Sequence, residues 1–338
     1  MVENFGRINY ELVNKKIKLD VKDKKILSLL AQNARMPLTQ ISKLVQLSRD
    51  AVDYRIKRLV NDGVILKFFS HLNHSKLGFY KYHVFLLLDE SNKKNQKEFI
   101  LFLVNHPNIF SVIEYSDRWD LEVRLIAKDV IDFDKIIMDI AAKFPDVILE
   151  RDKLEVIRKY KSTYLPPLVE DKTVTKILEE RSSPEKLDDM DIKILKLLSV
   201  DCRISTYAIA DKVKLSADAV SYRIKNLVDK GIIRKFTIMV NFSVMQYHMY
   251  TFTMQLKMFD KKTEKKFEEF LKQHKNILRA IKTLGSWDLL MYVVVSDPGE
   301  FHKIVKEVKD VFSEVVRNYQ TWIAYKEHVF KTMPEIIQ

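Results

Sequence analysis

One cysteine, Cys202, stands among 338 residues. A single thiol excludes an internal disulfide framework and a paired-cysteine zinc site. It also makes a reduced, intracellular (cytoplasmic) setting the default expectation. Glycine occurs six times and proline eight times, too rarely for a glycine-rich phosphate loop or a disordered Pro/Gly-rich chain. Apolar runs are short. VFLLL at 84–88 is strand-sized, far below the ~20 residues of a membrane helix, so no membrane contact is expected. MVENFGRINYELVNKK at the start lacks the apolar centre of a signal peptide and reads as a short helix or an arm. No nucleophile motif, no HExxH and no phosphate loop occurs, so the reading is of a non-enzyme without a cofactor. Acidic residues are outnumbered, 46 against 58 basic ones, giving +12. That excess suits nucleic acid or another acidic partner.

What is present is a repeat. AVDYRIKRLVNDGVI at 51–65 returns as AVSYRIKNLVDKGII at 219–233, 168 residues later. The same offset pairs Asp20 with Asp188, Asp23 with Asp191, Arg35 with Arg203, Ser48 with Ser216, Trp119 with Trp287 and Phe144 with Phe312. It holds without a gap from about Leu19 to about Lys159. The period far exceeds that of a solenoid, so the chain is a duplicated two-domain unit. Pro166, Pro167 and SSPEK mark a connector at 162–186, in which TVTKILEE at 173–180 suits a short helix.

Each unit opens with three helical patterns. In the first, Asp20 caps a helix carrying Ile26, Leu27, Leu29 and Leu30. TQISKLV turns Ile41, Leu44 and Val45 inward, and Ser48 caps a third helix with a stripe of Val52, Ile56, Leu59 and Val60. Gly63 stops it. VILKFFS and YKYHVFLLLDE then read as the strands of a wing. The second part alternates strand and helix as βαββαβ, a ferredoxin-like order. The fold class is therefore α+β: two winged helix-turn-helix domains and two ferredoxin-like domains in tandem. The expected boundaries are an arm at 1–18, the first winged domain at 19–78, the first ferredoxin-like domain at 79–161, the connector, the second winged domain at 187–246 and the second ferredoxin-like domain at 247–338.

A short helix, a Ser-capped turn and a longer basic helix read as a unit that enters the major groove of duplex DNA. The outward set in the first copy is Ser48, Arg49, Asp53, Tyr54, Lys57 and Arg58. In the second it is Ser216, Ser221, Tyr222, Lys225 and Asn226. Lys67, Arg234 and Lys235, on the wings, suit phosphate contacts. The alternative is a solvated amphipathic helix, which the net charge, the Ser caps and the duplication disfavour. Arg55 and Arg223 lie at the edge of the apolar stripe, where an internal ion pair competes with a phosphate contact.

LDVKDKKILSLLAQNARMPLTQISKLVQLSRDAVDYRIKRLVNDGVI resembles the DNA-binding domain of the Lrp/AsnC (feast/famine) regulators, and residues 187–233 resemble it more closely. The pattern D-x2-D-x2-IL, then R, then S-x3-V-x2-RI-x2-L-x3-G-[VI]-I carries the likeness. The βαββαβ segments resemble that family's ligand-sensing, oligomerising RAM domain. The resemblance implies a sequence-specific DNA-binding transcriptional regulator. Fusion of two units implies a covalent pseudo-dimer, with intramolecular pairing of the RAM domains and room for further homo-oligomers. It also implies an amino-acid-like effector near the hairpin Trp-Asp pairs: Trp119 and Asp120, and Gly285, Trp287 and Asp288. Asp117 stands where the second copy has Gly285, which favours the second copy. Packing tryptophans with turn-capping aspartates are the plainer reading of the same residues.

His71 and His74 have no histidine counterparts in the second copy and are expected in a surface loop, with no metal. His106 and His274 recur and suit helix C-termini, where a cation meets the dipole. Sirohaem decarboxylases also resemble this family. Such an enzyme needs histidines and basic residues around a polycarboxylate in the ferredoxin-like half, and the sequence displays no such cluster. An architectural DNA-binding protein with little sequence preference is the third alternative.

Overall fold

A computed structural model describes residues 6–10, 17–89, 91, 93–169 and 182–337. The TVTKILEE segment lies outside them. Helix α1 (Val21–Gln32) opens with a reciprocal cap: Asp23 N–H donates to Asp20 at 2.8 Å, and Asp20 N–H to Asp23 at 3.2 Å. Helix α2 (Leu38–Val45) ends at Gln46 in the left-handed region, and α3 (Arg49–Asn61) starts at Ser48, whose Oγ accepts from Ala51 N–H at 3.1 Å. Val52, Ile56 and Leu59 face the core. Leu44 and Val60 do not; they are 43% and 40% exposed. Each is one residue, or ~100° of helix rotation, away from a buried neighbour, Val45 or Leu59, and so turns off the buried face.

β1 (Ile65–Leu72) follows, then β2 (Tyr80–Leu88), α4 (Lys93–Asn105), β3 (Ile109–Tyr115), β4 (Leu121–Ala127), α5 (Val130–Lys143) and β5 (Ile148–Ser162). The second unit repeats the order as α6 (Asp189–Val200), α7 (Thr206–Val213), α8 (Ala217–Asp229), β6 (Ile233–Val240), β7 (His248–Leu256), α9 (Lys261–Gln273), β8 (Ile277–Leu284), β9 (Leu289–Val295), α10 (Pro298–Val311) and β10 (Val316–Phe330).

The two strands expected to make a wing within one unit do not pair with each other. β1 pairs antiparallel with β6 of the other unit, Phe68 opposite Ile238, and β2 joins the large sheet. The wing is thus a shared ribbon. Its pseudo-two-fold bonds are explicit: Ala34 N–H donates to Phe236 O and Cys202 N–H to Phe68 O, both at 3.0 Å. Arg35 donates to Cys202 O at 2.6 Å and Arg203 to Ala34 O at 2.8 Å, each guanidinium lying over the other unit's Phe236 or Phe68.

The strands β3-β4-β2-β5 and β8-β9-β7-β10 form two ferredoxin-like sheets. Their edges join, β5 to β8 and β10 to β3, into a closed barrel. Closure removes the open edges that each sheet alone would present. Along β4, Leu121, Val123 and Leu125 pack outward under the helices, while Glu122 and Arg124 point to the interior between the two units. Among the described residues, no helix is long and apolar enough to cross a membrane.

Residues 6–9 of the N-terminal segment are extended and buried. Gly6 N–H donates to Glu327 O at 3.1 Å and Glu327 N–H to Ile8 O at 2.8 Å, which lays residues 6–9 along β10. A Cβ on Gly6 would lie 2.2 Å from Glu327, so only glycine permits this approach.

Candidate nucleic-acid interface

The two heads present α3 and α8 to solvent. Tyr54 and Tyr222 are 67% and 72% exposed. Arg49 and Lys57 project outward, Lys57 in an i,i+4 pair with Asp53 at 2.7 Å, and Ser221 and Lys225 occupy the same face of α8. Ser216 caps α8 by accepting from Ala219 N–H at 3.1 Å. An exposed α3 or α8 surface of tyrosine, serine and lysine is chemically able to meet both phosphates and base edges.

The edge arginines are internal. Arg55 donates to Asp20 at 2.7 Å and to Asp23 at 2.8 Å, and Arg223 reaches Asp188 and Asp191, each at 2.8 Å. Hydrogen bonds from backbone and from these guanidiniums hold the Asp20 and Asp188 carboxyls below their usual range. Arg58, read from the sequence as a groove contact, is drawn to Asp23 at 2.6 Å. Asn226, at the matching position of α8, carries no charge for Asp191 to draw in. Lys67, Arg234 and Lys235 lie half-buried on the shared ribbon rather than on separate wings. Burial pushes the Lys67 ammonium below its ordinary value.

Residues 19–60 match the AsnC-type helix-turn-helix domain, and residues 187–234 match a winged helix-turn-helix DNA-binding domain. The HTH-type transcriptional regulator FL11 of Pyrococcus furiosus is 36% identical over 111 residues, 33% of this chain and 72% of FL11. The chain belongs to the Lrp/AsnC family. FL11 of Pyrococcus abyssi is 30% identical over 132 residues, covering 39% of this chain and 85% of its own. The fold of the whole duplicated chain is similar to that of the siroheme decarboxylase NirDL, with TM-score 0.63 at 12% identity, over 94% of this chain and 97% of NirDL.

In this Lrp/AsnC chain the hairpin residues have structural work. Trp119 and Trp287 are buried, and Asp120 and Asp288 accept from Leu88 N–H at 2.6 Å and Leu256 N–H at 2.7 Å. Gly285 has φ +147°, and a Cβ there would meet Lys153 O at 2.5 Å, so the hairpin tip packs against β5 of the other unit. A cleft lined by Glu114, Tyr115, Asp120 and Gln96 lies beside the first hairpin.

Sequence reasoning missed the barrel centre. Glu122 accepts from Arg124 at 2.8 and 2.9 Å, His83 at 2.6 Å, Tyr115 at 2.7 Å and Tyr292 at 2.5 Å. Burial opposes its ionisation, but Arg124 and His83 hold its carboxyl well below the usual range. Burial lowers His83 to about 4 despite Glu122.

It also missed a cationic cavity between the ribbon and the barrel. His71, His74, His83, Lys81, Lys159, Arg279 and Lys331 line it. His71 and His74 are therefore buried, not in a surface loop; they pack on Tyr164 and Phe110. The histidine-and-base cluster that the sequence hid is present, assembled from β1, β2, β5, β8 and the end of β10. Among the described residues no group of three metal-ligating side chains gathers. His106 and His274 follow α4 and α9 as expected and pack on Phe102 and Phe270, and burial pushes both imidazoles below their ordinary value. The one available signal for the cavity was difference between the copies: His71, His74 and Lys81 face Met239, Phe242 and Met249.

Proposed function

We propose that this Lrp/AsnC protein is a sequence-specific DNA-binding transcriptional regulator, not an enzyme, acting as a covalent pseudo-dimer with two unequal reading heads. The observation that carries it is the pair of Ser-capped, solvent-facing helices α3 and α8, held on one shared ribbon. Arg49, Asp53, Tyr54 and Lys57 read one half-site; Ser221, Tyr222, Lys225 and Asn226 read the other. Ser48 and Ser216 position the helix starts, and Lys67, Arg234 and Lys235 add positive potential along the ribbon. Because Arg49 faces Ala217 and Asp53 faces Ser221 across the repeat, the operator is an imperfect palindrome. An amino-acid-like effector at the Trp119–Asp120 or Gly285–Trp287–Asp288 hairpins is the family's mode of control and extends the reading.

Selection of bound duplexes from a random library at physiological salt tests this. Two unequal half-sites one or two helical turns apart are expected. Lys57→Glu with Lys225→Glu should lower affinity for every duplex at least tenfold and flatten the salt dependence. Arg49→Ala should relax preference in one half-site only. Salt-sensitive binding without enrichment would instead indicate an architectural protein.

A second reading is favoured by the cationic, histidine-lined cavity together with the whole-chain likeness to NirDL, a structure of which contains an iron-uroporphyrin III analogue. In that reading the chain is a tetrapyrrole decarboxylase. Loss of carbon dioxide from a uroporphyrin-type substrate, with no duplex bound, would select it.

A further inference from the structure

The helices that precede the two reading helices differ where they begin. α2 is entered through Pro37, Leu38 and Thr39, and the 168-residue offset matches these to Ser205, Thr206 and Tyr207 of α7. Pro37 has no N–H and makes no side-chain cap, and Leu38 packs on the core of the first head. On α7 the Ser205 Oγ accepts from Ala208 N–H at 3.1 Å, and Tyr207 stands 78% exposed. Among the described residues Tyr207 has no hydrogen bond and no ring contact. The contrast is not one of charge. Residues 38–46 carry Lys43 and no acid, and residues 206–214 carry Lys212, Lys214 and Asp211, so each stretch is +1. It is one of hydroxyls: three at the start of α7 against Thr39 alone at the start of α2.

The reading helices differ in the opposite sense. α3 offers Arg49 and Lys57 to solvent. α8 has Ala217 in place of Arg49, and its Arg223 is held by Asp188 and Asp191, which leaves Lys225. In a helix-turn-helix the second helix enters the major groove and the first crosses the backbone of the duplex. α7 packs on α8, so a side chain projecting from its first turn lies beside the strand that borders the groove. A tyrosine suits that place. Its neutral hydroxyl donates to a phosphate oxygen, carries no sequence information and displaces no counterion.

We propose, resting on the DNA-binding reading above, that Tyr207 is a phosphate contact of the second head that the first head lacks. The two heads then divide the work. The first binds chiefly through base edges, with Arg49 and Lys57. The second binds chiefly through the backbone, with Tyr207 and Lys225. The half-site under the first head is the sharper of the two, and the half-site under the second tolerates more sequences.

Affinity of the full chain for a selected duplex and for a random one, each across a salt series, tests this. Tyr207→Phe removes the hydroxyl alone. It should weaken binding to both duplexes about tenfold, the loss of one hydrogen bond to a charged group. The slope of affinity against salt should stay as in the wild type, whereas Lys225→Glu should flatten it. Ethylation of single phosphates should then locate the contact. One position, beside the half-site that Arg49→Ala leaves unaltered, should weaken the wild-type chain when modified and have no effect on Tyr207→Phe. Among selected sequences, the half-site that Arg49→Ala relaxes should be the sharper one. Unchanged affinity in Tyr207→Phe, or an altered base preference in it, overturns the Tyr207 assignment and leaves the DNA-binding reading standing. A lowered urea midpoint in Tyr207→Phe also overturns it, since the side chain would then hold the fold. A sharper half-site under the second head overturns the division of work. A wild-type chain that binds no duplex overturns the DNA-binding reading and this assignment together.

Discussion

Asp23 is 1% exposed and serves three partners: the Asp20 N–H, Arg55 and Arg58. Its loss removes half of the α1 cap and leaves two guanidiniums without their acid. Asp23→Ala should cost about 3 kcal/mol, read as a fall in the urea midpoint. Asp191→Ala should cost less, because Asn226 replaces Arg58 in that copy. His83 gives a pH dependence. Its folded value is about 4 against a usual 6.5, lowered by burial against the opposing pull of Glu122, with Arg124 and Arg279 lowering it further. The unfolded imidazole therefore takes a proton below about 6.5 that the folded one refuses until about 4. Stability is full above that window and declines as pH falls through it. His106 and His274, also lowered by burial, act in the same direction. Denaturant unfolding from pH 4 to 8 should show the decline, less steep in His83→Gln. Gly285→Ala should destabilise by ~2 kcal/mol, because its φ and the 2.5 Å approach to Lys153 O both oppose a side chain.

At the scale of elements, the ribbon and the first helices are interlocked. α1 packs on β6 and α6 on β1, each head resting on the other unit's strand. Arg35 and Arg203 fasten these contacts through carbonyl bonds across the pseudo-two-fold axis. Replacing both with alanine should cost about 2 kcal/mol for each charged hydrogen bond lost. Hydrogen exchange of α1 and α6 should speed up, while the barrel strands keep their protection. The helices themselves were legible. Ser48, Ser216, Gly63 and the apolar stripes are local signals, set by capping and by the helical period. The strand partners were not legible: β1 and β2 are adjacent in sequence, and only the competing partner β6 explains why they fail to form a hairpin. Arg58 shows the same limit within an element. Its helical position faces outward by periodicity, yet Asp23, 35 residues away, draws it in.

The whole molecule is a dimer written as one chain. Each half-barrel has two edge strands, and each edge is satisfied by the other half, β5 by β8 and β3 by β10. The Glu122 centre also needs both halves, because Tyr292 comes from the second. Proteolytic cleavage within 170–181 should therefore leave the two pieces associated, eluting together at the mass of the intact chain. Separate elution would show that the junctions β5–β8 and β3–β10 do not hold without the covalent link.

Composition and the repeat by themselves determined the tandem α+β architecture, the helix-turn-helix heads and the charge that suits DNA. These follow from caps, from periodicity and from a 168-residue register that any reader can test. The tertiary structure alone decided which strands pair, where Arg58 goes and what surrounds Glu122. It alone converted three scattered histidines and four distant cations into one cavity. The reason is physical: caps and stripes are local along the chain, whereas Lys81, Lys159, Arg279 and Lys331 meet only when two sheets close on each other.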